Sequence, residues 1–294
     1  MKSIAIVGHI AIDRIVTNDG EWHQLGGPPT YVSLITSLLG VQLRVCTKVG
    51  GDFPCDYMGE LAGRGVYIRD SVVPSAKTTR FVLDYRGPER GLGVESICEL
   101  IRPDDVKGLP DAVILAPIIQ EIPEETLEAI RSPLLALDPQ GFIRRREPDC
   151  SISLHHWQNR DLLSRLSVFK ASERELRLVT EEGDWDGLEK LSSLGVKVAI
   201  VTHGEKGSHI LTEGRRLLVP AFNGKTADTT GAGDAFIAGF FAEYSSGSDV
   251  GWCLAVGSAS ASAVVETVGP RIKIARSELM ERAEKIHDGI EVLA

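Results

Sequence analysis

The chain has 294 residues, and 32 Lys and Arg against 41 Asp and Glu give it a formal net charge of −9. So acidic a surface repels a phosphate backbone, and nucleic acid is not an expected partner. Apolar residues make up 43% and charged residues 25%, an ordinary globular mixture that excludes a disordered tail, a collagen-like rod and a coiled coil. A chain of this size buries roughly 75% of its unfolded surface and needs no covalent staple.

Five cysteines, Cys46, Cys55, Cys98, Cys150 and Cys253, lie far apart and form no C-x-x-C pair. Reduced thiols are expected, not a disulfide framework or a four-cysteine zinc site. His155-His156 lies near Cys150, yet no third ligand follows at zinc spacing. The apolar run Ile4 to Val7 is too short for a signal-peptide core, and no stretch reaches the roughly 20 apolar residues of a membrane helix. The expectation is a soluble, cytoplasmic protein with no membrane partner.

In chain order, Ile4 to Gly8 is a continuous apolar run ending in glycine, the pattern of a strand covered on both faces, as in parallel sheets. Asp13 to Leu25 departs from it, with near-alternating polarity that suggests exposed antiparallel strands. Thr30 to Leu39 has helical spacing, and Leu43 to Gly50 reads as another strand. Ser71 to Glu99 alternates again, as in Thr79-Arg80-Phe81-Val82-Leu83-Asp84-Tyr85. Strands are then predicted at Ala112 to Ala116, Leu134 to Asp138, Val168 to Ala171 and Lys197 to Thr202, and helices at Pro123 to Arg131, Asp161 to Leu166 and Trp185 to Leu194. Ala235 to Leu293 reads as mostly helical, interrupted at Gly269-Pro270. Strands alternating with helices imply an α/β fold on a parallel sheet. No repeat or linker divides the chain, so residues 1–294 read as a single domain with an accessory β-sheet built from 13–25 and 71–99.

The most informative stretch is Asp228-Thr229-Thr230-Gly231-Ala232-Gly233-Asp234-Ala235-Phe236. Glycines just before an apolar helix let backbone N–H groups converge without a Cβ in the way, forming a seat for a phosphate. Asp234 repels a phosphate unless it is there to take a proton from an attacking hydroxyl. Composition alone favours a plain helix cap for it. No Walker lysine motif and no G-x-G-x-x-G follows the first strand, so an ATP site has to rely on that anion hole.

Asp228 to Phe236 resembles the C-terminal signature of the ribokinase-like (PfkB) carbohydrate kinases. Gly26-Gly27-Pro28-Pro29 and Gly50-Gly51-Asp52 are similar to that family's Gly-Gly pair and G-x-D element, in the same order. The resemblance implies a three-layer α/β/α domain with a mainly parallel central sheet and a small β-sheet lid. It implies an ATP- and Mg²⁺-dependent kinase in which Asp234 deprotonates the acceptor hydroxyl. Gly231, Ala232 and Gly233 would form the anion hole around the transferring phosphoryl group. Asp13, at the end of the first strand, would bind sugar hydroxyls together with Gly26 and Gly27.

Thr202-His203-Gly204-Glu205-Lys206-Gly207 resembles the family's T-x-G-x-x-G turn, which places Thr202, Gly204 and Gly207 by the nucleotide. Taken alone it reads as a tight strand-to-strand turn. Ser258 to Val265 resembles the adenine wall, with Ser258 and Ser262 on it, and otherwise reads as a closely packed core helix. Lys170 and Ser172 fall with the nucleotide-binding set. The family's N-x-x-E motif is Ser172-x-x-Glu175 here. The asparagine is missing, while Glu175 can still hold a Mg²⁺-bound water. Some members bind a monovalent cation such as K⁺, and Asp228 sits at the matching position. The resemblance also admits a homodimer formed through the lid.

Asp138-Pro139-Gln140-Gly141-Phe142-Ile143-Arg144 closes a strand, placing Gln140 and Arg144 at the sheet's carboxyl edge, where α/β ligands bind. Tyr31 replaces an asparagine common in the family and should narrow the acceptor pocket. These features look most like the inositol kinases of the family found in archaea and plants, so a small sugar or polyol, myo-inositol first, is the expected acceptor. A nucleoside or hexose kinase of the same family, and a nucleotide-binding regulator without turnover, stay open.

Overall fold

The computed structural model describes residues 3–87 and 91–293. The chain opens with β1 (Ser3–Val7), then the hairpin of β2 (Ala11–Thr17) and β3 (Gly20–Gly26), which leads into α1 (Pro28–Leu39). β4 (Gln42–Cys46), β5 (Val49–Gly50), α2 (Cys55–Gly63) and β6 (Val72–Val73) follow, then the pair β7 (Thr79–Asp84) and β8 (Gly91–Ser96). The middle of the chain holds β9 (Ala112–Leu115), α3 (Glu124–Ala129), β10 (Leu134–Leu137), α4 (Gln140–Ile143), β11 (Arg144–Arg146), β12 (Ile152–Leu154) and α5 (Arg160–Ser164). β13 (Val168–Ser172), α6 (Glu173–Thr180), α7 (Asp184–Ser193), β14 (Val198–Thr202), β15 (Ser208–Thr212) and β16 (Arg215–Val219) come next. Three helices, α8 (Ala232–Tyr244), α9 (Val250–Val265) and α10 (Arg276–Asp288), precede β17 (Glu291–Leu293).

The central sheet runs β17-β16-β15-β14-β13-β10-β9-β1-β4. Every pairing from β14 to β4 is parallel, and β15, β16 and β17 extend it as an antiparallel edge. Alternate residues of the parallel strands feed two separate cores, because successive side chains point to opposite faces. Ile4, Ile6, Ile114, Val168, Val198 and Ile200 pack with Val32 and Ile35 of α1, Phe240 of α8 and Leu254 of α9. Ala5, Val7, Val113, Leu115, Phe169 and Val201 pack with Leu162 of α5, Leu176 of α6 and Leu188 of α7. Helices on both faces are why these strands read as unbroken apolar runs.

The small residues of α9 bring it close to α8. A Cβ at Gly257 would stand 2.9 Å from the carbonyl oxygen of Phe236, and one at Gly239 would overlap the hydroxyl of Ser260. Tight packing of α8 fixes where its amino end points.

The small sheet runs β3-β2-β7-β8, with β2 and β7 parallel and the outer pairings antiparallel. Its strands fall at 11–26 and 79–96, narrower in the second segment than the sequence suggested, because Val72–Val73 pairs with β5 instead. Asp13 is correspondingly in the middle of β2, not at the end of the first strand. The sheet is joined to the body by buried His9, whose Nδ1 lies 2.9 Å from Thr79 Oγ1 and whose Nε2 lies 3.0 Å from the Glu99 carbonyl. Burial lowers the His9 pKa and keeps the ring neutral. Asp52 of the G-x-D element is a second tie: its Oδ1 accepts from Thr78 N–H at 2.7 Å and its Oδ2 pairs with Arg80 at 2.9 Å.

Two further expectations shift. The run Leu43 to Gly50 splits at Thr47, whose Oγ1 turns to accept from Ile10 N–H at 2.8 Å. Glu291–Leu293 is a strand paired with β16 rather than the end of a helix. None of the five cysteines is in a disulfide, and no helix among the described residues is long and apolar enough to cross a membrane.

Ile114 is fully buried between β1 and β10. Ile114→Ala is expected to destabilise the protein by about 2–5 kcal/mol, read as a lower denaturant midpoint at unchanged slope.

Candidate active site

Two cavities meet at the carboxyl ends of the parallel strands. One, of about 330 Å³, is lined by Thr202, Gly204 and Gly207, by Phe222, Gly224 and Thr226 of the segment after β16, and by Ser258, Ser262 and Val265 of α9. The other, of about 290 Å³, is lined by Asp13, Gly27 and Tyr31, by Asp138, Gln140 and Arg144, by Lys170, Ser172 and Glu175, and by Gly231 and Asp234. Thr202, Thr229 and Gly233 border both. The cavities therefore touch at the amino end of α8, the position a migrating group has to cross.

Gly231 takes a φ of +79° at the head of α8, and the helix opens with no side-chain cap. That conformation favours glycine, and packing also demands it, since a Cβ there would overlap the ring of Tyr31. The first-turn amides of Gly233 and Asp234 have no acceptor within the helix, which makes this end a site for negative charge. Ala232 departs from its expected role: its N–H is directed to the Thr229 carbonyl at 3.3 Å, closing a turn. That amide is thus taken up within the loop rather than left for an anion.

Beneath Gly233 lies the ammonium of Lys170, which a Cβ at that position would overlap. Lys170 is 4% exposed and pairs with Asp138 Oδ2 at 2.8 Å, itself 5% exposed. Burial works against the lysine charge, but Asp138 and Glu175 outweigh it and hold the Lys170 pKa above its ordinary value. Asp234 feels the opposite balance. Desolvation, then the negative charges of Asp138 and Glu175, outweigh the pull of Lys170 and Arg144 and raise its pKa to about 7. A carboxyl poised there exchanges a proton readily at neutral pH.

Around Asp234 the acceptor cavity is rich in paired polar groups. Arg144 Nη2 donates to Gln140 Oε1 at 2.6 Å, and Gln140 N–H donates to Asp138 Oδ1 at 3.1 Å. Asp13 is 6% exposed and lies over Gly26, whose missing side chain leaves room for the carboxylate. Gly27 approaches the His9 carbonyl too closely for any Cβ and starts α1 with a φ of +81°. The Tyr31 hydroxyl is buried with no hydrogen-bond partner among the described residues. Burial and the charges of Asp13, Asp228 and Asp234 drive its pKa far up, so it remains a neutral donor.

Ser172 and Glu175 form a capping box on α6. Glu175 Oε2 accepts from Ser172 N–H and Oγ, both at 2.8 Å, and Ser172 Oγ accepts from Glu175 N–H at 3.4 Å. Serine thus serves as the helix cap that asparagine would otherwise provide. Lys170 and Ser172, expected with the nucleotide-binding set, line the 290 Å³ cavity and not the 330 Å³ one that Gly204, Gly207, Ser258 and Ser262 line. For Mg²⁺, Glu175, Asp138 and Asp234 offer hard oxygen atoms suited to the ion's bound waters, but their ligand atoms do not cluster closely enough to coordinate one ion directly.

Asp228 lines neither cavity. Its Oδ1 accepts from Thr230 N–H at 2.9 Å and its Oδ2 from Gly269 N–H at 3.4 Å, which shapes the loop before α8. On the donor side, Gly204 and Gly207 sit in the turn between β14 and β15. The Ser258 hydroxyl is bonded to the Pro220 carbonyl at 3.0 Å, and that of Ser262 to the Ala259 carbonyl at 2.7 Å, so both serve as wall.

Sequence reasoning passed over Asp138, although an acidic residue ending an apolar run marks a strand's carboxyl edge. It also passed over Phe222, stacked by Arg282 at 4.8 Å, and over Phe81, Leu83 and Leu92, the apolar wall of the small sheet. Only the first carried a local signal.

A carboxyl with a raised pKa next to an uncapped helix end, between two cavities, is an arrangement suited to phosphoryl transfer. Residues 118–276 match the profile of the pfkB family carbohydrate kinases, and the chain belongs to that family. Cytidine kinase of Thermococcus kodakarensis is 27% identical over 293 residues, covering 92% of this chain and 98% of its own. Inositol 3-kinase of Arabidopsis thaliana is 28% identical over 283 residues, covering 91% and 75%. Among solved structures, a pyrophosphate-dependent kinase of the ribokinase family in complex with sulfate superposes with a TM-score of 0.78 at 24% identity, covering 95% of this chain and 99% of that one. The fold is that of the ribokinases.

A carboxyl whose pKa is about 7 predicts that kcat/KM falls about tenfold per pH unit below that point and levels off above it. Because the folded pKa lies above the unfolded one, the group favours folding while protonated and loses that contribution as pH rises through about 7. Asp234→Asn is therefore expected to unfold at a higher temperature than wild type at pH 8, with the gap narrowing below about pH 7 and closing toward pH 4. A gap independent of pH would contradict the assignment.

Proposed function

We propose that this kinase transfers the γ-phosphoryl group of ATP to a hydroxyl of a small polyol or sugar, with myo-inositol as the first candidate. The observation that carries the reading is Asp234 standing at the head of α8 where the two cavities share Gly233. Asp234 removes the acceptor proton as its oxygen attacks the γ-phosphorus, and the bond to the β-phosphate oxygen breaks to release ADP. Lys170 and the amides of Gly233 and Asp234 offset the charge on the transferring group. Glu175 would hold a water of Mg²⁺, which would supply neutralising charge to the phosphates.

ATP is favoured as donor because the 330 Å³ cavity continues past the phosphate end to Phe222, Phe236 and Val265, apolar walls suited to a nucleobase. A polyol is favoured as acceptor because Asp13, Gln140, Arg144 and the Tyr31 hydroxyl offer the mixture of donors and acceptors that a ring of hydroxyls requires. A nucleoside acceptor is the second reading. It draws on the apolar wall of Phe81, Leu83 and Leu92 and on the similarity to cytidine kinase.

Asp234→Asn is expected to cut kcat about a hundredfold or more with little change in acceptor binding; near-normal turnover contradicts the base role. Tyr31→Phe keeps the ring on Gly231 and removes the hydroxyl, so the acceptor KM should rise about tenfold while kcat changes little. Incubation with Mg·ATP and a mixture of inositol, ribose, fructose and nucleosides, followed by mass spectrometry, identifies the acceptor. An inositol phosphate supports the first reading and a nucleoside monophosphate the second.

A further inference from the structure

A cluster of chemistry-bearing side chains lies outside both cavities, beyond the turn that carries Gly204 and Gly207. Asp184 is the first residue of α7, His203 follows β14, and His209 is in β15, paired across the sheet with Val201 on the face covered by α6 and α7. Each offers a ligand atom, and those atoms lie within 4.8 Å of one another. We propose that Asp184, His203 and His209 form a binding site for a divalent first-row transition metal of the Zn²⁺ type. Two imidazoles and one carboxylate, with water completing the shell, suit that ion over Mg²⁺ or Ca²⁺.

Three observations converge on this assignment. His203 Nε2 is buried with no hydrogen-bond partner among the described residues, and it lies 3.7 Å from Asp184 Oδ1. A buried ring nitrogen left unpaired costs free energy that a metal bond would recover. Its other nitrogen, Nδ1, is 3.7 Å from Glu173 Oε2. That separation is too long for a hydrogen bond, but it puts a carboxylate on the side of the ring from which a metal-bound histidine is commonly oriented. His209 is held in place by Trp185, stacked at 4.9 Å with an interplanar angle of 4°, and its Nδ1 is 2.5 Å from Asp184 Oδ1.

Bonds of about 2.0–2.1 Å put neighbouring ligand atoms of a tetrahedral ion about 3.3 Å apart. The His209–Asp184 contact must therefore open slightly on binding, while the His203–Asp184 contact closes. On binding, the ion takes the place of the proton between His209 Nδ1 and Asp184, and the neutral ring carries its proton on Nε2 instead. Asp184, with its side chain 40% exposed, gives the ion access, while His203 is 14% exposed. His203 sits between Thr202 and Gly204, both on the donor cavity, so a metal here would anchor the turn that borders the donor. The site does not depend on which acceptor the kinase uses.

Titration of the full-length protein with Zn²⁺ in excess Mg²⁺, followed calorimetrically, is expected to show one equivalent bound per chain. His203→Gln, His209→Gln and Asp184→Asn are each expected to weaken binding at least tenfold. Zn²⁺ should also raise the unfolding temperature of wild type and not that of the His203→Gln variant. If His209→Gln unsettles the fold through the Trp185 stack, His203→Gln carries the test alone, since its Nε2 makes no hydrogen bond to lose. No stoichiometric uptake, or uptake unchanged in His203→Gln, overturns the proposal and leaves a hydrogen-bonded cluster.

Discussion

A lysine ammonium buried under the amino end of a helix is the constraint on which this site depends. Lys170 and the head of α8 are both electropositive, and bringing them together is unfavourable unless negative charge lies between and beside them. Asp138 supplies part of that charge permanently through its 2.8 Å pair with Lys170. Gly233 makes the approach sterically feasible, because any side chain would strike the lysine. The remaining positive potential faces the junction of the two cavities, where a phosphoryl group would be in transit.

The same charges set the chemistry of Asp234. Its carboxyl lies in a neighbourhood already supplied with carboxylates, and desolvation and Asp138 together move its titration to about neutral pH. Keeping a partly desolvated carboxylate there costs the fold stability, as active sites commonly do. The rest of the molecule supports that cost: two cores built from alternate residues of the same strands clamp the central sheet between helical layers.

How far the sequence revealed this structure follows from where each signal lies. Unbroken apolar runs ending in Gly8, Asp138 or Thr202 identified the parallel strands, because burial on both faces removes alternation. The glycines before Phe236 pointed to the uncapped head of α8, because backbone convergence without Cβ atoms has a local spelling. Edge strands such as Glu291–Leu293 are short and exposed, and nothing in their composition separates them from a frayed helix. The pairing of β2 with β7 joins segments far apart in the chain, so sequence could suggest two alternating stretches but not their shared edge. Roles that depend on three-dimensional neighbours were invisible for the same reason: Ala232 bonded to Thr229, Asp228 to backbone amides, and Lys170 under Gly233.

Tyr31 and Gly231 touch face to face, one at the wall of the acceptor cavity and the other at the head of α8. A ligand in the 290 Å³ cavity that displaced the ring would be felt by the backbone at the head of α8. Linkage makes such communication mutual: whatever factor the donor applies to acceptor affinity, the acceptor applies to donor affinity. One aromatic ring resting on one glycine would be enough to make two ligands, one in each cavity, sense each other.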